Sequence, residues 1–95
     1  MIISQLSIAP VGEGTSLSSF VRIVIDTLRK HNVKFATNDM ATILETENLD
    51  ALFRVVKEAH NAVIKAGAKR VITELKIDDR KDKEVTIGSK VKAVN

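Results

Sequence analysis

Near the start of the chain Ile2, Leu6 and Ile8 share one parity, while Ile3, Gln5, Ser7 and Ala9 share the other, more polar one. Alternation of this kind is the period of a half-buried strand. Pro10 lacks the N–H that a ladder requires and ends it. The period then changes. Leu17, Phe20, Val21, Val24, Ile25 and Leu28 repeat at helical spacing and form one apolar stripe. Ser16, or alternatively Thr15, is placed to cap this helix. Arg29, Lys30 and His31 fall in its last turn, where positive charge suits the helix dipole, and Asn32 is a stop signal.

The stretch from Val33 to Glu45 is too long for one strand of about 5–6 residues. Asn38-Asp39 are turn formers, so the spacing predicts a hairpin of roughly Lys34–Thr37 and Met40–Thr46. A second helical stripe follows in Leu49, Leu52, Phe53, Val56, His60, Val63 and Ile64, capped by Asn48 or Thr46 and ended at Gly67. Val71, Thr73, Leu75 and Ile77 then alternate with Arg70, Ile72, Glu74, Lys76 and Asp78 as a strand of about nine residues. A charged, turn-rich stretch, "DDRKDKEVTIGSK", leads to Val91 and Val94, which suggest a short docking segment.

The order strand–helix–strand–strand–helix–strand predicts an α+β fold. It is the ferredoxin-like βαββαβ two-layer sandwich, with both helices on one face of an antiparallel sheet. The chain of 95 residues is read as one domain over 1–95, with a charged C-terminal tail over 80–95. The other sheet face, with Gln5, Ser7, Ile72, Glu74 and Lys76 on it, is expected to stay open within the monomer. Being half apolar, it is a candidate surface for self-association into a dimer or tetramer.

Composition narrows the chemistry. The absence of cysteine removes disulfides, thiolate metal sites and cysteine nucleophiles. Three Phe and no Trp or Tyr make an aliphatic core. No apolar window approaches the ~20 residues of a bilayer span, and the N-terminus lacks the charged start of a signal peptide, so a cytoplasmic protein is expected. The net charge of +3 reads as lysines spread over a solvated surface.

The loop from Gly12 to Ser16 sits between a strand and a helix start, where anions bind well. It lacks the Gly-Lys-Ser/Thr ending of a phosphate loop and carries Glu13. Acylphosphatase, which shares the topology, uses an arginine in this loop; here the nearest one, Arg22, lies inside the helix. RNA-recognition domains of the same topology stack bases on strand aromatics, which this chain lacks on its outer strands. His31 and His60 have structural explanations and no metal-ligand spacing. No cofactor is called for, and no nucleophile–base pair supports catalysis. Thr42-Ile43-Leu44-Glu45 offers a hydroxyl and a carboxylate at the hairpin's end, suited to a polar ligand with amine groups.

Four stretches, "SIAPVGEGTSLSSFV", "MATILETE", "AGAKRVITELKIDDRKDK" and "SKVKAV", together resemble the thiamine-binding-protein-like family of small ferredoxin-like domains from archaea and bacteria. The resemblance covers nearly the whole chain, in order. It implies a non-enzymatic subunit that assembles through its sheet into dimers and tetramers and holds thiamine or its hydroxymethylpyrimidine moiety. For the aminopyrimidine ring so implied, which needs a flat apolar slot with a few donors and acceptors, Met40 and Ile43 are candidates for the slot, and Ser7, Asn38, Thr42 and Glu45 for the polar contacts. The family's strand-one serine and proline match Ser7 and Pro10, and its hairpin threonine and glutamate match Thr42 and Glu45. Its basic-acidic strand end matches Arg70, Thr73, Lys76, Asp78 and Arg80. Where the family usually has glycine beside that threonine and glutamate, this chain has Ala41 and Thr46. The rival reading is a regulatory or purely structural oligomerisation module of the ACT type, which shares the topology and binds small ligands between subunits.

Overall fold

The computed structural model describes residues 1–14 and 17–95. Its elements are β1 (Ile2–Pro10), α1 (Ser18–Lys30), β2 (Lys34–Thr37), β3 (Thr42–Thr46), α2 (Leu49–Lys65), β4 (Val71–Asp79) and a short α3 (Ser89–Val94). The four strands form one antiparallel sheet in the order β2-β3-β1-β4. This is the ferredoxin-like α+β architecture that the alternation predicts. The helices begin and end where local chemistry dictates. Asn48 caps α2, its Oδ1 accepting from the Ala51 N–H at 2.8 Å. Gly67, at φ +115°, ends the helix: its own N–H reaches Ile64 O, and the Ala68 N–H reaches Val63 O. Asn32 takes the left-handed conformation after α1, at φ +56°. Thr15 and Ser16, the expected caps of α1, lie outside the described residues. The helix starts at Ser18, with Leu17 in the N-cap position and no side-chain cap bond.

Register fixes which face each strand residue takes. β1 pairs with β4 over its full nine residues, from Ile2 opposite Asp79 to Pro10 opposite Val71. It pairs with β3 over five, from Ile2 opposite Thr46 to Leu6 opposite Thr42. Ile2, Leu6 and Leu44 therefore point toward the helices and pack with Val24, Leu28, Leu52, Val55, Ala59 and Val63. Ile3, Gln5, Ser7, Ile43, Glu45, Ile72, Glu74, Lys76 and Asp78 point the other way. Between the helices and β4, His60 Nδ1 and Thr73 Oγ1 share a hydrogen bond of 2.6 Å, which explains a histidine on an otherwise apolar stripe.

Two expectations change. The second hairpin strand begins at Thr42 rather than Met40, because Asn38 Oδ1 accepts from both the Met40 and Ala41 N–H groups and holds those residues in the turn. The second sheet face is not left open by the chain. Val85 is buried, and the segment that follows crosses this face to reach β3 and β4.

Two hydroxyls on the helix side, Ser4 Oγ and Thr46 Oγ1, are buried without a hydrogen-bond partner. A buried polar atom left unpaired costs on the order of 1–3 kcal/mol. Thr46→Val keeps the shape and removes the hydroxyl, so it should raise the unfolding free energy by about 1 kcal/mol. Asn48→Ala, which strips the α2 cap, should lower it by about 1 kcal/mol. Urea unfolding midpoints at unchanged slope measure both.

Candidate functional site

β1 outruns β3. Beyond Leu6 the β3 side of β1 has no strand beside it among the described residues. Ser7 and Ile8 there border a cleft of about 130 Å³, closed by Val21 and Val24 of α1 and by the 37–42 turn. The cleft exists because Asn38 tightens that turn, stopping β3 while β1 continues. Leu6, Ile8, Val21 and Val24 supply apolar walls; Ser7, Thr37, Asn38, Asp39 and Thr42 supply polar groups. Met40 stands at the rim, 86 % exposed. Thr42 is buried, and its hydroxyl shares a 3.2 Å hydrogen bond with the Thr37 hydroxyl across the hairpin. Asn38 has its carbonyl oxygen committed to the turn, which leaves its NH₂ as the group free to donate.

Four of the six candidate residues thus converge: Ser7, Asn38, Met40 and Thr42. Ile43 and Glu45 do not join them. Thr42 and Glu45 are three apart on one strand, so they point to opposite faces. Ile43 instead lines a larger groove of about 650 Å³, between the second sheet face and the C-terminal segment. Ile3, Gln5, Lys76, Ile87 and Val91 share that lining. Glu45 anchors the segment from beneath. Its side chain is only 9 % exposed, and its Oε1 accepts from the Ile87 N–H at 2.9 Å, with the Lys34 ammonium 3.9 Å away. At β4, Lys90 donates to Asp78 Oδ2 at 2.7 Å. Gly88, at φ +91°, turns the chain between these two anchors.

Residue spacing hid three lining groups. Asp39 was legible only as a turn former, yet it brings a carboxylate to the cleft. Val21 belongs to the helical stripe but is 43 % exposed, because it overhangs the cleft instead of the core. Thr37 enters through its partnership with Thr42. Neither Ala41 nor Thr46 has a positive φ, so neither position requires the backbone freedom of glycine.

The family described as thiamine-binding protein matches residues 4–95. The chain belongs to that family. Within the thiamine-binding protein family it is 46 % identical over 95 residues to a UPF0045 protein of Methanothermobacter thermautotrophicus, covering 99 % of this chain and 96 % of the other. The solved structure of hypothetical protein MJ1052 from Methanocaldococcus jannaschii is 43 % identical, with a TM-score of 0.89 over 98 % of this chain and 94 % of that one. A Thermotoga maritima structure, TM0486, assigned provisionally to thiamine biosynthesis or salvage, has a TM-score of 0.83 at 22 % identity and covers 99 % and 98 % of the two chains. At that identity it shares the fold.

The C-terminal segment's anchors give a prediction with a sign. The Lys90 ammonium, by hydrogen bond and charge, holds the Asp78 carboxyl below its ordinary value of 3.8. A carboxyl depressed in the folded state stabilises above its unfolded pKa and loses that contribution as pH falls through the folded one. Amide shifts of residues 88–92 should therefore move as pH drops below 3.8, and Lys90→Ala should abolish that step. Glu45→Ala should speed hydrogen exchange at the Ile87 amide roughly tenfold or more while leaving Leu44 protected.

Proposed function

We propose that this protein is a non-enzymatic cytoplasmic binder of thiamine or its hydroxymethylpyrimidine moiety, working as a homo-oligomer. The observation that carries the reading is the cleft beside β1, where Ser7, Asn38, Met40 and Thr42 meet in a chain of the thiamine-binding protein family. A pyrimidine ring offers two flat apolar faces and an edge of donors and acceptors. Leu6, Ile8, Val21 and Val24 suit the faces. The Thr42 hydroxyl and the Asn38 NH₂ suit the edge, with Ser7 at the border of the cleft. The Asp39 carboxylate, at the turn, suits an exocyclic amine or the cationic thiazolium of the whole vitamin.

A second location has one specific observation in its favour. The groove under the C-terminal segment, at about 650 Å³, falls in the range of about 300–1,000 Å³ usual for small-molecule sites, whereas the β1 cleft is smaller. Its isoleucine and valine lining, with Gln5, Lys76, Asp78, Asp79, Ser89 and Lys90 as polar and charged groups, suits a larger, more apolar ligand with polar ends.

Thermal shift separates these readings. A ligand bound only by the native state stabilises by about 2.7 kcal/mol at a hundredfold excess over Kd, which for a domain of this size is on the order of ten degrees in Tm. Thiamine or hydroxymethylpyrimidine should give such a shift, and free amino acids and phosphate should not. Thr42→Val, close in shape, should remove most of it, and Glu45→Ala should leave it in place. Retention in Thr42→Val together with loss in Ile43→Trp would move the site to the groove. No shift with either pyrimidine compound overturns the proposal, and a shift with amino acids alone would favour an ACT-type regulatory module.

A further inference from the structure

The C-terminal segment spans the second sheet face without closing on it. Val85 is buried at one end. Beyond it the segment is pinned at two polar points, the Ile87 amide on Glu45 and Lys90 on Asp78. The register sets Glu45, Ile3 and Asp78 side by side in one row across β3, β1 and β4. The next row is Ile43, Gln5 and Lys76. Held at the first row, the segment leaves a groove of about 650 Å³ between itself and the sheet. Aliphatic side chains normally pack against one another with few voids. Here Ile3 and Ile43 line the floor, Ile87 and Val91 line the segment's side, and Val91 is still 62 % exposed.

The charges around the groove leave one cation over. Asp78 is paired with Lys90, Asp79 with Lys81, and Glu45 takes the Ile87 amide. Lys76 lines the groove and forms no ion pair among the described residues. Glu74, the next residue of β4 on that face, does not line the groove. Gln5 is exposed and stands directly opposite Lys76 in the register. Side chains so placed on one face are close neighbours. Two donors, one of them charged, therefore stand together at the β4 end of the groove, and the aliphatic lining continues from there toward β3.

We infer that this groove is a site for a medium-chain carboxylic acid, separate from the cleft beside β1. A carboxylate brings one charge and two acceptor oxygens. The Lys76 ammonium meets the charge and one oxygen, and the Gln5 NH₂ meets the other. A phosphate monoester, at about −1.5 to −2, carries more charge than one cation balances. The tail runs across the strands from Lys76 past Gln5 to Ile43. That path is two strand spacings of about 4.8 Å each, which matches a saturated chain of about eight to ten carbons. Ile3 and Ile43 cover one side of the chain, and Ile87 and Val91 the other. The bound tail gives Val91 the apolar contact that the protein's own side chains do not.

Isothermal titration calorimetry with sodium decanoate, kept below its micelle concentration, tests the site. Decanoate should bind saturably at one per chain. Affinity should rise roughly fourfold per methylene from hexanoate to decanoate and level off once the tail passes Ile43. Lys76→Met keeps the aliphatic stem, removes the charge and should weaken decanoate roughly tenfold or more; Lys76→Arg should keep most of the affinity. Ile43→Trp should fill the floor and abolish binding. Decyltrimethylammonium, with the same tail and the opposite charge, should not bind. In amide spectra decanoate should move Gln5, Ile43, Ile87 and Val91 and leave Val21 and Asn38, at the β1 cleft, in place. The inference is overturned by an absence of saturable decanoate binding, by equal binding of the cation, by unchanged affinity in Lys76→Met, or by shifts confined to Val21 and Asn38. These outcomes are independent of thiamine binding.

Discussion

β1 is the strand on which everything else is registered. Its pairing with its two neighbours is unequal: nine residues with β4 and five with β3. The parity of β1 puts Ile2 and Leu6 into the core and Ile3, Gln5 and Ser7 on the far face. A slip of one residue would exchange those sets, burying Gln5 and exposing Leu6. Burial of apolar side chains at roughly 25 cal/mol per Å² makes that exchange costly. The hydrophobic pattern of nine residues thereby holds the register of three strands.

The inequality of the pairing creates the candidate site. Were β3 as long as β1, the space beside Ser7 and Ile8 would be filled by a strand. It is open because Asn38 folds the chain back early, with both the Met40 and Ala41 amides on its side-chain oxygen. The same equality with β4 has the opposite consequence on the other side. There β1 fully occupies one edge of β4 and leaves the other edge as long as a strand of this fold offers. Cleft and bare edge are two results of one difference in strand length.

What could be read from sequence was what is local. Asn48 and Gly67 act on amides within a few residues, and both end α2 as their types predict. Alternation along Val71–Ile77 was enough to place β4 and its faces. The division of Thr42 from Glu45 was also legible, since an interval of three reverses the face of a strand, but grouping by proximity in sequence obscured it. The fate of Glu45 was not legible at all. Its partner amide, Ile87, lies 42 residues away in a stretch whose composition says only that it is charged and turn-rich. At α1 the described helix begins at Ser18 behind Leu17, with no side-chain cap bond. Propensity for a cap is a statement about residue type, and the position of a helix end also depends on which turn brings Val24 and Leu28 onto the sheet.

Glu45 links these levels. A carboxylate nine-tenths buried on a sheet face needs partners, since an ionised group removed from water without them is strongly disfavoured. It has one strong partner, the Ile87 amide, and one distant one, the Lys34 ammonium at 3.9 Å. The C-terminal segment therefore does more than cover apolar surface: it satisfies a charge that the sheet itself leaves incomplete. The reverse dependence holds as well. Val91 and Val94 remain largely exposed, at 62 % and 84 %, so α3 gains little from burial of its own apolar residues. Its hold on the sheet comes from Val85 and from polar contacts at Glu45 and Asp78. A segment held in this way depends on those two contacts more than on the packing of its own apolar residues, while the β1 core is held by burial.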